Sequence, residues 1–89
     1  MKPWRVVVAG PAEPSLARLA ESVASAVVEF MLGPLTEAPI LVGKPLQREL
    51  AGYRSARRGS YRVVYRLDED EREILVVRIE HRSDVYRRR

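Results

Sequence analysis

The sequence predicts an α+β fold: an N-terminal strand, a helical segment, then a three-stranded antiparallel meander, with the helices packed on one face of a four-stranded sheet. Three observations predict it. β-Branched residues crowd the first positions after Pro3. Apolar residues at i, i+3, i+4 and i+7 spacing then run from Leu16 to Met31. Period-two alternation begins after Gly59-Ser60 and returns after an acidic stretch. Helices grouped ahead of a meander segregate to one side of the sheet.

Residues 4–9 read as the first strand, bounded by Pro3 and by Gly10-Pro11. Leu16, Leu19, Ala20, Val23, Ala24, Val27, Val28 and Met31 then form the stripe of an amphipathic helix, which is a core face rather than a ligand site. Ser15 can cap its start, or Pro14 can occupy its first turn, and Gly33-Pro34 ends it. The pattern fits one helix over residues 13–32 and equally a helical hairpin broken near Glu21-Ser22.

Residues 36–43 carry Pro39 and Gly43 and read as a loop. Residues 44–50 lead through Gly52 into a second strand near 53–57, and Arg58-Gly59-Ser60 makes a hairpin turn. The third strand covers residues 61–67, with Tyr61, Val63 and Tyr65 on one face and Arg62, Val64 and Arg66 on the other. Asp68-Glu69-Asp70-Glu71 is an acidic connection to a fourth strand over 73–80. There Leu75, Val77 and Ile79 are expected on the core side, with Ile74, Val76, Arg78 and Glu80 opposite. Arg62, Arg66 and Arg78 would then share the outer face.

Composition narrows the function. With 89 residues the chain is a single domain, 1–89, burying roughly 60–68% of its unfolded surface. A content of 46% hydrophobic and 31% charged residues excludes a disordered tail. The absence of cysteine excludes a disulfide framework and thiolate chemistry. One histidine excludes a multi-histidine metal site, and no carboxylate cluster resembles a cage for a hard cation. Ser25 and Glu29 interrupt the longest apolar run, so no membrane span is expected. The start lacks the layout of a secretion signal, and a cytoplasmic protein is the expectation.

The net charge of +4 is unevenly spread. Residues 1–43 hold three basic and four acidic side chains, a net of −1, whereas residues 44–67 hold seven basic and one acidic, a net of +6. That segment points to a polyanion or an acidic protein partner. Within it, arginines alternate along a strand beside tyrosines, and His81-Arg82-Ser83-Asp84-Val85-Tyr86-Arg87 repeats the Arg/Tyr pairing. A solvated sheet face is the plain reading of such a run. Guanidiniums bind phosphate bidentately and aromatic rings stack on unpaired bases, so the recurrence favours RNA.

Gly43-Lys44-Pro45-Leu46, Leu50-Ala51-Gly52-Tyr53 and the run from Ser55 to Tyr65, completed by the terminal His-Arg-x-x-Val-Tyr, give the chain its family likeness. In order and length it resembles the RelE branch of the RelE/ParE superfamily of toxin–antitoxin toxins. The resemblance implies a toxin that enters the ribosomal A site and cleaves mRNA there without a metal or a small-molecule cofactor. The 2′-hydroxyl of one nucleotide attacks the neighbouring phosphate, leaving a 2′,3′-cyclic phosphate and a 5′-hydroxyl. It also implies a RelB-like cognate antitoxin as partner, besides ribosome and mRNA.

Carried over by position, Arg62 is the phosphate clamp, Tyr86 orients the cleaved nucleotide, and Arg82 and Arg57 match basic positions of the site. His81 is a candidate proton donor or acceptor. Lys44, Arg54, Arg58, Arg66, Arg78 and Arg87 are the implied RNA-binding residues. Two departures stand out: Glu80 lies where some members carry a second catalytic arginine, and Ser55-Ala56 makes the second strand less basic than usual. A ParE-like gyrase inhibitor and a non-cleaving RNA-binding domain are the competing readings.

Overall fold

The computed structural model describes residues 2–81. Strand β1 (Arg5–Val8) leads into helices α1 (Ala12–Arg18) and α2 (Glu21–Leu32) and a single turn, α3 (Pro34–Glu37). A two-residue strand β2 (Lys44–Pro45) and a 3-10 turn (Arg48–Leu50) precede β3 (Arg54–Arg58), β4 (Tyr61–Asp68) and β5 (Glu73–His81). Among the described residues the sheet has five strands, in the order β1-β5-β4-β3-β2. β1 runs parallel to β5, its neighbour in the sheet although the two lie at opposite ends of the element order, and the other pairs are antiparallel. The fold class is as expected. The fifth strand is β2, which pairs Lys44 with Ser55 and Pro45 with Arg54 where the sequence suggested only a loop and its exit.

Of the two helical alternatives, the hairpin is the one formed, with its break at Leu19-Ala20. Both residues are extended, with ψ near 150 and 149 degrees, so the α1 hydrogen-bond ladder stops at Leu19. Pro14 sits in the first turn of α1, where its missing N–H costs nothing. Ser15 is inside the helix, and its hydroxyl donates back to the Pro11 carbonyl at 3.2 Å rather than capping. The break re-phases the apolar stripe. Val27, Phe30 and Met31 are buried and Leu35 of α3 extends their line, while Val28 and Ala20 turn outward. Gly33 ends α2 and Pro34 opens α3. The Thr36 hydroxyl lies 3.0 and 2.9 Å from the carbonyls of Leu32 and Gly33 and shares its one hydrogen between them at the α2–α3 junction.

The helices cover one face of the sheet. Tyr61, Val63 and Tyr65 of β4 meet Ile74, Val76 and Ile79 of β5 and Val27, Phe30, Met31 and Leu35 of the helices in one core. Burying each such side chain contributes about 1.5–3 kcal/mol, so this core dominates the stability. The phase expected for β5 is half wrong. Tyr65 pairs with Val76 but Val64 pairs with Arg78, leaving Val77 as an extra residue in a β-bulge. Before the bulge the even-numbered Ile74 and Val76 are buried, and after it the odd-numbered Ile79 is. Leu75 and Val77 are therefore on the outer face and only half-buried.

Two buried tyrosines tie a loop and helix α2 to the sheet. The Tyr65 hydroxyl donates to the Pro39 carbonyl at 2.6 Å, and that of Tyr61 donates to the Ala26 carbonyl at 3.3 Å. Burial pushes both phenols above their ordinary value, against the lowering influence of Arg54 and Arg58 respectively. Both therefore stay protonated donors at neutral pH. No helix among the described residues is long and apolar enough to cross a membrane.

Candidate RNA-binding face

The outer face of the sheet, away from the helices, collects the cations. Gly59 takes a positive φ of 56 degrees in a two-residue turn, which fixes the hairpin register so that Arg57 pairs with Arg62. Directly opposed residues project to the same side, their Cβ atoms about 4.5–5.5 Å apart, so two guanidiniums leave the sheet together. Lys44 joins them through its pairing with Ser55, and Arg78 through its pairing with Val64. Arg66 stands on the same face beyond the bulge, opposite Leu75, with its guanidinium 6.0 Å from the Tyr53 ring centroid. Among the described residues five cations thus share one surface, and like charges so close are unfavourable unless an anion lies among them.

Glu80 is that anion in this structure. It pairs with Arg62 across β4 and β5. Its Oε1 accepts from Nε and Nη2 of Arg62 at 3.1 and 2.5 Å, and its Oε2 accepts from Nη1 of Arg78 at 3.0 Å. Partial burial pushes the carboxyl up, but the hydrogen bonds and charges of Arg62, then of Arg78, outweigh it and hold the group below its ordinary value of about 4.5. Glu80 is therefore ionised at neutral pH. Lys44 and Arg57 are exposed and form no salt bridge among the described residues.

Two of the residues expected to bind RNA are on the other side. Arg54 pairs with Tyr65 on the helix face, and its Nη2 donates to the carbonyls of Ile40 and Gly43 at 2.6 and 3.0 Å. It anchors the 39–43 loop, and its buried Nε has no hydrogen-bond partner. Arg58 pairs with Tyr61 and lies 4.7 Å from the Phe30 ring centroid, a cation–π contact with α2. Alternation along β3 separates both from Arg57, so the signal is present in the sequence once the hairpin register is known.

His81 closes β5 opposite Tyr61, which puts it on the helix side of the sheet like Arg58 and not among the cations of the outer face, and its Nε2 lies 3.0 Å from the Ser60 hydroxyl. The sequence does not single out Ser60 as a neighbour of His81, because only the hairpin register brings it to the end of β5. Arg82, Tyr86 and Arg87 lie outside the described residues. A shallow groove lined by Lys2, Trp4, Arg5, Leu32, Thr36 and Glu71 is at the Glu73 end of β5 and shares no residue with the cationic face.

Comparison with known proteins supplies the family. A sequence profile described as the ParE toxin of the type II toxin–antitoxin system parDE matches residues 6–86. The chain is 46% identical to the toxin RelG of Mycobacterium tuberculosis over 86 residues, covering 97% of this chain and 99% of that protein. It is 45% identical to the toxin RelE of the same organism over 85 residues, covering 96% and 88%. Among solved structures, the M. tuberculosis toxin–antitoxin complex RelBE2 superposes with a TM-score of 0.88 at 44% identity, over 91% of this chain and all of the matched one. The protein is thus a toxin of the RelE/ParE family of type II toxin–antitoxin systems, and of its RelE type.

Proposed function

We propose that this toxin is a ribosome-dependent mRNA endonuclease, and that its outer sheet face is the surface that grips the RNA backbone. The observation that carries the reading is the convergence of Lys44, Arg57, Arg62, Arg66 and Arg78 on one face. In the cleavage step the 2′-hydroxyl oxygen attacks phosphorus and gives up its proton. The bond from phosphorus to the 5′ oxygen breaks, and that oxygen takes a proton. Arg62, with Arg57 and Arg78 beside it, offsets the negative charge that grows on the pentacoordinate phosphorus. Tyr86 is the side chain proposed to orient the nucleotide and to take part in proton transfer, with Arg82 adding charge, while His81, paired with Tyr61 on the helix side, stands apart from the arginine face. The ribosome holds the mRNA in place, which leaves the toxin little to do beyond charge and proton transfer.

The toxin is proposed to act in the cytoplasm and to be silenced by a RelB-like antitoxin, as the similar RelBE2 structure is a toxin–antitoxin complex. The ParE description of the matching profile favours a second reading, inhibition of DNA gyrase by protein contact. One experiment separates them. Purified toxin is added to ribosomes programmed with mRNA, 5′ ends are mapped, and DNA breaks are scored in expressing cells. Arg62→Ala removes charge from a half-exposed site without opening a cavity, and is expected to lower cleavage roughly a hundredfold while the fold persists. Wild-type toxin that leaves programmed mRNA intact and breaks DNA would replace the nuclease reading with the gyrase one.

A further inference from the structure

Glu80 sits between two arginines of the cationic face, Arg62 and Arg78. A phosphodiester offers two acceptor oxygens on one atom with a single negative charge. The Glu80 carboxylate offers the same, and each oxygen is already taken by a different arginine, Oε1 by Arg62 and Oε2 by Arg78. The other salt bridges among the described residues are single contacts at the far end of the sheet, Arg5 with Glu73 and Lys2 with Glu71. Among the described residues, Glu80 alone links two guanidiniums of the cationic face. Its side chain is 24% exposed, against 39% for Arg62 and 61% for Arg78, so the arginines can swing toward solvent while the carboxylate stays behind.

We propose that Glu80 is an intramolecular stand-in for phosphate, which competes with the RNA backbone for Arg62 and Arg78 and so limits the affinity of this face. The inference rests on reading the face as an RNA-phosphate site. The exchange is nearly balanced, because charge-assisted hydrogen bonds to a carboxylate are given up for similar ones to a phosphate. Ion pairs this accessible are weak, so substrate can open them. A general-base role suits Glu80 poorly. Both oxygens are engaged, and the arginines hold its carboxyl below the ordinary range, which makes it a reluctant proton acceptor.

The test is binding of a short single-stranded RNA whose 2′-hydroxyls are all methylated, so that it cannot be cleaved. Anisotropy would be followed for the full-length wild type, Glu80→Gln and Glu80→Ala over a range of salt. Both variants are expected to bind roughly three- to tenfold tighter at low salt. Their plots of log affinity against log salt should steepen by about 0.7 for each additional phosphate that the freed arginines neutralise. Glu80→Ala leaves no amide to hold the arginines, so it checks Glu80→Gln, and circular dichroism reports folding of both. Unchanged affinity and slope would overturn the proposal. Weaker binding would overturn it too, since Glu80 would then be holding the arginines in place for the RNA. Cleavage on programmed ribosomes is measured alongside. Tighter RNA binding by the variants together with no cleavage by the wild type would refute the nuclease reading and leave the competition standing.

Discussion

Gly43→Ala is the substitution whose cost can be worked most directly from the structure. Gly43 is buried immediately before β2, and its φ is not in the left-handed region, so any penalty is steric. An ideal Cβ there would lie 3.0 Å from the Ser55 carbonyl oxygen and 3.0 Å from Tyr65 Cζ, and closer still to the Tyr65 hydroxyl. Tyr65 is fully buried and its hydroxyl donates to the Pro39 carbonyl, so the ring has no slack. Forcing the ring or the loop aside costs about 1–3 kcal/mol as overpacking. Breaking the hydroxyl–carbonyl contact out of reach of water adds about 1–3 kcal/mol. The total of about 2–6 kcal/mol is a large share of the roughly 5–15 kcal/mol that holds a domain together. At about 4–8 °C per kcal/mol for a domain of this size, the variant should melt at least about 8 °C below wild type. Thermal unfolding followed by circular dichroism measures this. A drop of under about 3 °C would mean that Tyr65 can yield, and the packing argument would fail.

Two further outcomes follow from the side chains around the site. The Glu80 carboxyl has a lowered pKa in the folded protein, so its contribution to stability is complete above the unfolded value and is lost as pH falls through the folded one. Wild type should therefore lose its stability advantage over Glu80→Gln as pH drops below about 4.5; melting curves with a constant difference from pH 7 to pH 3 would contradict the pairing. Arg54→Ala should cost about 1–3 kcal/mol by freeing the Ile40 and Gly43 carbonyls, while affinity for non-cleavable RNA stays within about twofold. A large loss of RNA affinity at unchanged stability would restore Arg54 to the binding face.

Much of this arrangement is legible in the residues themselves. Tyr61, Val63 and Tyr65 alternate with Arg62 and Arg66, so one strand announces both its buried and its charged face, and the structure keeps that division. The phase of β5 is not legible. Ile74, Leu75, Val76 and Val77 are all apolar, so either parity satisfies the pattern, and a bulge at Val77 leaves no mark in hydrophobicity. The helical break is ambiguous for a similar reason: Leu19 and Ala20 suit a helix, yet their backbone is extended. Lys44, Arg57 and Arg78 are assembled by strand pairing, which alternation within one segment does not contain. The bridging of two arginines by Glu80 likewise needs the β4–β5 register, although the carboxylate itself is conspicuous as a departure from the family pattern.

β5 is the last strand described and yet lies second in the sheet, between β1 and β4. Arg5 waits for Glu73 across 68 residues of chain, and Arg62 waits for Glu80 across 18. Until residues 73–81 have been made, β1 has no partner, and the core lacks Ile74, Val76 and Ile79. Long-range pairing of this kind forms late. On the ribosome that synthesises it, the growing chain can form its β3–β4 hairpin but not the finished arginine face. The arginine face is therefore complete only once residues 73–81 have been made, and a chain interrupted before β5 has neither the finished sheet nor the full charge cluster.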